Sequence, residues 1–272
     1  MTAPLRCQIL TARPAARAVF ERRVAVAIPA RDEARHLAPL VHACRRAEAA
    51  LVLVVDDASA DGTPEILARL AREPGAPLAF LRNERNLGKQ GAVLRALRAL
   101  EPLDLDGVAL IDGDGQHDPG ELPGLAALLS GCELVLGQRA RDEMPPARRL
   151  SNWLVDRAFA WLAGVELGDV QSGLRLMRKP LADVLSQRLP GAGGYALEHE
   201  SLAVLADWAA ERGRPLELVA APIACRYRGA RSGIRPWHVA QLGAESVRQA
   251  LRLRRAGEAL SRREVRRCQL EA

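Results

Sequence analysis

Aromatic residues are scarce in this chain: phenylalanine, tryptophan and tyrosine together make up 3% of its 272 residues. A surface that stacks nucleic-acid bases needs such rings, and no nucleic-acid-binding motif is present, so that class of partner is set aside. Lysine is nearly absent, occurring only at positions 89 and 179, and arginine carries almost all of the basic charge. The five cysteines (7, 44, 132, 225 and 268) show no C-x-x-C spacing, which argues against zinc and against a disulfide framework and fits a reducing cytosol. No uninterrupted apolar run reaches the ~18 residues of a membrane span, and the N-terminus has no continuous signal-peptide core.

What remains is the composition of a soluble globular protein, 49% hydrophobic and 26% charged, with a net charge of +6 that suits an anionic partner. From residue 24 short β-branched runs alternate with amphipathic stretches: VAVAI, LVLVV, PLAFL and VALI are each followed by a helical pattern. Such alternation, with strands apolar on both faces, predicts an α/β fold with a mainly parallel central sheet and helices on both faces. The first 22 residues carry Arg and Pro without periodicity and read as a poorly ordered extension. Residues 23–235 read as one α/β domain and 236–272 as basic amphipathic C-terminal helices.

Ligands of such sheets gather at the carboxyl ends of the strands, and the polar clusters fall there. PARDE follows the first strand, DDASADGT the second, NERNLGKQG the third and DGDGQHD the fourth. In the last of these, Asp112 and Asp114 alternate across a strand end, and Gly113 and Gly115 permit the irregular turn that lets both approach one cation. An EF-hand does not fit, because His117 and Pro123 stand where that loop needs Gly and Glu. Asp118 reads as the cap of a helix entered at Pro119. Asp56 or Asp57 could serve ribose or a base. The Asn86, Gly88, Lys89, Gly91 segment reads either as a small anion-binding loop or as plain helix initiation.

Taken in order, IPARDE, DDASADGT, NLGKQGAV and DGDGQHDP resemble the four motifs of the inverting family 2 glycosyltransferases of GT-A fold, most closely their dolichyl-phosphate (polyprenyl-phosphate) mannosyltransferase-like branch, over residues 24 to about 235. The resemblance implies a Rossmann-like GT-A domain that moves a hexose from GDP-mannose or a UDP-sugar to a polyprenyl phosphate. It implies that Pro29, Arg31, Glu33, Asp56, Asp57, Lys89 and Asp112 line the nucleotide-sugar pocket. Asp112, Asp114 and Gln116 would hold Mg²⁺ or Mn²⁺ against the diphosphate. Arg31 and Asp32 stand where the family pattern has an aromatic and an asparagine.

In the second half, LGQRARDE and DVQSGLRLMRK resemble further family segments, which implies that Arg139, Arg149, Ser151, Asp169, Ser172 and Arg175 gather at the acceptor phosphate. YRGARSGIR supplies Arg228, Arg231 and Ser232 of the late family segment, without its lysine. The catalytic set so implied is Asp114, Arg139, Arg149 and Glu200. A phosphate monoester, with a second pKa near ~6, is already ionised at neutral pH and needs cations rather than a base. A hydroxyl acceptor would instead need Glu198 or Glu200 as general base, and a non-catalytic nucleotide-sugar-binding protein is a further alternative. The expected setting is cytoplasmic and peripheral at the inner face of the cytoplasmic membrane. There SNWLVDRAFAWLAG and the basic tail either lie on the bilayer or are a core-facing helix and a solvated end.

Overall fold

The computed structural model describes residues 3–271 apart from residues 18, 141–143, 145, 192–196 and 227–235. In chain order the elements are β1 (Leu5–Ile9), β2 (Val24–Ala30), α1 (Ala34–Arg46), β3 (Leu51–Asp56), α2 (Thr63–Leu70), β4 (Leu78–Arg82), α3 (Gly88–Leu100) and β5 (Gly107–Leu110). There follow α4 (Leu122–Ala127), β6 (Leu134–Arg139), α5 (Pro146–Ala163), β7 (Arg175–Arg178), α6 (Lys179–Arg188), α7 (Leu197–Arg212), β8 (Leu216–Ile223) and α8 (Pro236–Glu271).

The strands form one eight-stranded sheet in the order β1-β8-β6-β7-β5-β2-β3-β4. All neighbours run parallel except β7, which is antiparallel to both β5 and β6. Strand β2 lies centrally between β3 and β5, and its run VAVAIPA is apolar throughout because helices cover both of its faces. Its alternate residues serve opposite cores. Ala25 and Ala27 pack with α3, α6, α7 and α8 residues such as Leu97, Leu185, Leu205 and Leu253. Val24, Val26 and Ile28 pack with α1, α2 and α4 residues such as Leu40, Leu67 and Leu125. The expected α/β architecture with helices on both faces is thus present.

The N-terminal segment departs from expectation. Instead of a poorly ordered extension, Leu5–Ile9 forms the edge strand β1, parallel to β8 with Leu5 opposite Leu216. Leu5 is fully buried, and Phe20 is buried on the other side of the sheet. Five residues are too few for periodicity to speak, and what orders them is the row of unpaired backbone groups on the outer edge of β8, a tertiary partner. Helix α8 likewise sends Ala250, Leu253, Ala256 and Leu260 into the core that holds Leu5. The N-terminal strand and the C-terminal helix therefore share one core with the sheet.

Candidate active site

The loops after β2, β3, β4 and β5 meet at the carboxyl edge of the sheet, and they hold one another chiefly by carboxylates that accept backbone N–H groups. Asp32, in the left-handed region at φ 56°, accepts from Ala60 N at 2.7 Å, and its own N–H donates to Ser59 Oγ at 2.9 Å. Asp61 accepts from Ala34 N and Thr63 N, tying the first loop to the second. Asp57 Oδ1 accepts from Asn83 Nδ2 at 2.6 Å and Leu87 N at 2.8 Å, tying the second loop to the third. Asp56 Oδ1 accepts from Ser59 N at 2.9 Å. Asp56 and Asp57, expected beside a nucleoside, are both buried and accept these hydrogen bonds, Asp56 from its own loop and Asp57 from the third.

The fourth loop lies on the first. A Cβ at Gly113 would come to 3.0 Å from the Pro29 carbonyl oxygen, so a larger residue would press the two loops apart by a few tenths of an ångström, and Gly115 takes φ 69° against the ring of His36. Asp114 accepts from Gln116 N at 3.0 Å and from Gln116 Nε2 at 2.7 Å. Asp118 accepts from Gly120 N and caps the short 3-10 turn Pro119–Glu121, as its place before Pro119 implied. From the far side of the sheet, Arg226 N donates to Gln116 O at 2.7 Å and His117 bridges to Cys225, so the end of the β8 segment clamps this loop.

Asp112, Lys89 and Glu198 converge where α3 and α7 reach the rim. Lys89 Nζ lies 2.6 Å from Asp112 Oδ1 and 2.8 Å from Glu198 Oε1. Burial works against the lysine charge, but the two carboxylates outweigh it and hold the ammonium above the ordinary lysine value. Burial alone would raise Asp112 as well, and Lys89 reverses that and holds its carboxyl below the usual range. Beside them Glu33, 2.7 Å from His36 Nδ1, is held above its ordinary value by burial, with repulsion from Asp114 adding and His36 opposing. Gly173 lies directly against this pair, for a Cβ there would collide with Asp112 Oδ2 and Lys89 Nζ, and both side-chain ends would have to shift.

The donor set fits a hard divalent cation completed by a ligand. Two carboxylates and the amide oxygen of Gln116 are all oxygen donors, fewer than the six that such an ion takes. Among the described residues no three His, Cys, Asp or Glu side chains form a self-sufficient metal site. Three of the cysteines are held as thiols: burial pushes Cys7 and Cys132 up to about 11 and Cys44 to about 12.

The second-half residues divide differently from expectation. Arg139 is buried and donates through Nε and Nη2 to both oxygens of Asp169, at 2.6 and 2.8 Å. Arg175 is also buried and spends its donors on the carbonyls of Val170, Ser172 and Glu198 and on Ser201 Oγ. These two arginines, expected at an acceptor phosphate, thus brace the rim from within, because a buried guanidinium must find protein acceptors. Arg149 and Ser151 are exposed on the first turns of α5, and Arg31 is about half exposed at the first loop. Glu200 accepts from Gln90 Nε2 at 2.9 Å. Arg228 and Ser232 lie outside the described residues. Sequence reasoning missed the bracing roles of Asn83 and Gln90, which no spacing signals, and the close approach at Gly173, which the S-G pair in DVQSGLR did contain.

A family model described as glycosyl transferase family 2 matches residues 25–182. The chain belongs to glycosyl transferase family 2. Its curated relatives include an undecaprenyl-phosphate mannosyltransferase of Micrococcus luteus, 30% identical over 153 residues that make up 54% of this chain and 62% of the relative. An undecaprenyl-phosphate 4-deoxy-4-formamido-L-arabinose transferase of Pseudomonas savastanoi is 29% identical over 171 residues, 60% of this chain and 49% of the relative. This chain therefore spans only about half the length of that enzyme. Among solved structures, glucosyl-3-phosphoglycerate synthase from Mycobacterium tuberculosis in complex with Mn²⁺, UDP-glucose and phosphoglyceric acid matches at TM-score 0.62 and 22% identity, over 90% of this chain and 88% of that one. That likeness shows the GT-A fold, and the family membership makes the protein a glycosyltransferase with polyprenyl-phosphate sugar transferases among its relatives.

Proposed function

We propose that this family 2 enzyme carries out metal-dependent, inverting transfer of a hexose from a nucleotide sugar, GDP-mannose or a UDP-sugar, to a polyprenyl phosphate at the cytoplasmic face of a membrane. The observation that carries the reading is the rim cluster of Asp112, Lys89 and Glu198 beside Asp114 and Gln116. It joins an oxygen donor set for Mg²⁺ or Mn²⁺ to a fixed ammonium at the N-terminus of α3, where a diphosphate would gather negative charge. The Mn²⁺ and nucleotide named for the M. tuberculosis structure, and the lipid acceptors named for the bacterial relatives, support it.

In this reading Asp112, Asp114 and Gln116 hold the cation, with Pro29, Arg31 and Glu33 along the nucleotide. A bound divalent cation supplies neutralisation of the diphosphate as the sugar departs. Lys89 adds a second positive charge on the leaving side and keeps Asp112 ionised for its ligand role. Arg149 and Ser151, with Arg228 and Ser232 from the late segment, receive the acceptor phosphate, while Arg139 and Arg175 act as positioning residues. The acceptor oxygen is already anionic, so no side chain has to remove a proton. Glu198 is occupied by Lys89 and Glu200 by Gln90, which favours this acceptor over a hydroxyl that would need either as base.

The test is transfer from a panel of radiolabelled nucleotide sugars to a short polyprenyl phosphate with Mn²⁺ or Mg²⁺. A labelled lipid is expected, lost on chelation and reduced ~10²–10³-fold in kcat by Asp114→Ala, the scale of removing one electrostatic stabiliser of the transition state. Nucleotide-sugar binding without any labelled lipid would overturn the proposal, and labelling of a saccharide hydroxyl would move the chemistry to the glutamates.

A further inference from the structure

Helix α5 leaves the sheet after Arg139 and the chain returns to the same place at Asp169, where the bidentate pair closes the excursion. Gln138 reinforces the closure, donating to the Leu167 carbonyl and accepting from Asp169 N. Whatever α5 touches is therefore tied directly to the rim of the site.

The two faces of this helix are opposite in kind. Asn152, Asp156, Phe159 and Ala163 face inward and are buried. Outward lie Leu150, Trp153, Leu154 and Trp161, exposed by 59, 43, 53 and 80%, at the helical spacing i, i+3, i+4 and i+11. Arg157 falls in the same stripe at i+7, and Arg149 stands at its N-terminal end, both exposed. The only carboxylate in Pro146–Ala163 is the buried Asp156, so the exposed face is apolar and cationic with no anion in it. A face meant for water mixes charges of both signs and does not hold two indoles outward. Exposed stripes of this size mark a docking surface, and indole rings between arginines suit the headgroup boundary of an anionic bilayer.

We propose that the outer face of α5 is a docking surface for an anionic lipid bilayer, with Trp153 and Trp161 inserted at the boundary and Arg149 and Arg157 against acidic headgroups. No helix among the described residues is long and apolar enough to cross a membrane, so the contact would be interfacial. The lipid-acceptor reading of the site gives the surface its purpose, since a polyprenyl phosphate held in that bilayer would meet the rim at Arg149. The surface itself stands on α5 alone.

The experiment is flotation of the full chain with vesicles of phosphatidylglycerol and phosphatidylcholine, against vesicles of phosphatidylcholine alone. Binding is expected only with phosphatidylglycerol, to fall with salt, and to drop at least tenfold in Trp153→Ser/Trp161→Ser and severalfold in Arg157→Glu, all with unchanged melting. Should the double variant melt early, Arg157→Glu and quenching of tryptophan fluorescence by brominated lipid in the wild type decide instead. Wild type that does not float, variants that float as well as wild type, or a dimer that the double variant dissolves without any vesicle binding would each overturn the proposal. Transfer to a short, water-soluble acceptor separates this from the activity. A wild type that makes labelled product but does not float refutes the docking face alone. One that floats through α5 but labels no lipid phosphate leaves the docking face standing and refutes the transferase reading.

Discussion

The two halves of the rim use charge in opposite ways. In the loops after β2 to β5, carboxylates accept backbone N–H groups from the next loop, as Asp32 does from Ala60 and Asp57 from Leu87. This arrangement leaves an acidic centre at Glu33, Asp112 and Asp114 that one lysine only partly balances. In the half built from β6, β7 and α7, arginines are buried and matched within the protein, Arg139 by Asp169 and Arg175 by three carbonyls and a hydroxyl. The first half is thus a frame held by its backbone around an acidic centre that the proposed function assigns to a ligand, and the second is held by the very charges that its sequence advertises.

The sharpest way to break this contrast is to remove a charge from the second half. Asp169→Ala removes the bidentate acceptor of the buried Arg139 guanidinium, and the loss of stability is expected to reach about 3–5 kcal/mol. Urea unfolding measures it, and because the pair also closes the α5 excursion, activity should fall in step with the folded fraction. A variant that unfolds like wild type while losing activity would put Asp169 and Arg139 at the acceptor, with the frame and the site interchanged.

A second probe of the same half is its buried histidine. His199 on α7 is fully buried against the Phe159 ring, with both ring nitrogens without a hydrogen bond, and burial pulls its pKa down to about 4. The unfolded chain, with an ordinary pKa near ~6.5, binds this proton more readily than the folded protein does. Stability from this group is therefore present above pH ~6.5 and is lost as pH falls towards about 4, by roughly 3 kcal/mol over that window. His199→Leu should flatten the acid limb of a stability-against-pH curve. An unchanged slope would mean that His199 is protonated or solvated in the folded state.

The contrast also explains how far sequence reasoning reached. The parallel core was legible because β2, β3 and β5 are apolar on both faces and each ends in a polar cluster. The local contacts of the first-half loops were legible where residues act within a few positions of one another, as Asp114 and Gln116 do. Arg139 and Asp169 are each visible as polar residues, but nothing in their spacing of 30 residues says that one neutralises the other. Strand β1 was hidden for a similar reason, since five residues become a strand only when β8 offers them an edge. Burial of charge and pairing across the sheet are tertiary facts, and neither the Arg139–Asp169 pair nor strand β1 can be read without them.

Returning to the first half, a small change can separate frame from ligand site there. Gly173→Ala would place a methyl group against Asp112 and Lys89, whose present positions leave it no room. The pair must move apart, and apparent donor affinity is expected to fall about tenfold, or ~1.4 kcal/mol, with kcat less affected. Equal affinity in the variant would show that the Asp112–Lys89 contact already opens when donor binds.

The smallest effect tests whether the frame is held by backbone or by side chains. Arg226 touches the Asp112–Asp118 loop twice, through its backbone N–H to Gln116 O at 2.7 Å and through its guanidinium to Asp118 at 3.3 Å. The side-chain pair is exposed on both partners, and pairs of this kind contribute about 0–1 kcal/mol. Arg226→Ala keeps the backbone donor and deletes only the guanidinium, so thermal stability should shift by no more than a degree or two and transfer by less than about threefold. If transfer instead falls tenfold or more at unchanged stability, the guanidinium serves the substrate. The end of the β8 segment would then serve a ligand, as the proposed function has the first-half charges do, although its chain comes from the other half of the sheet.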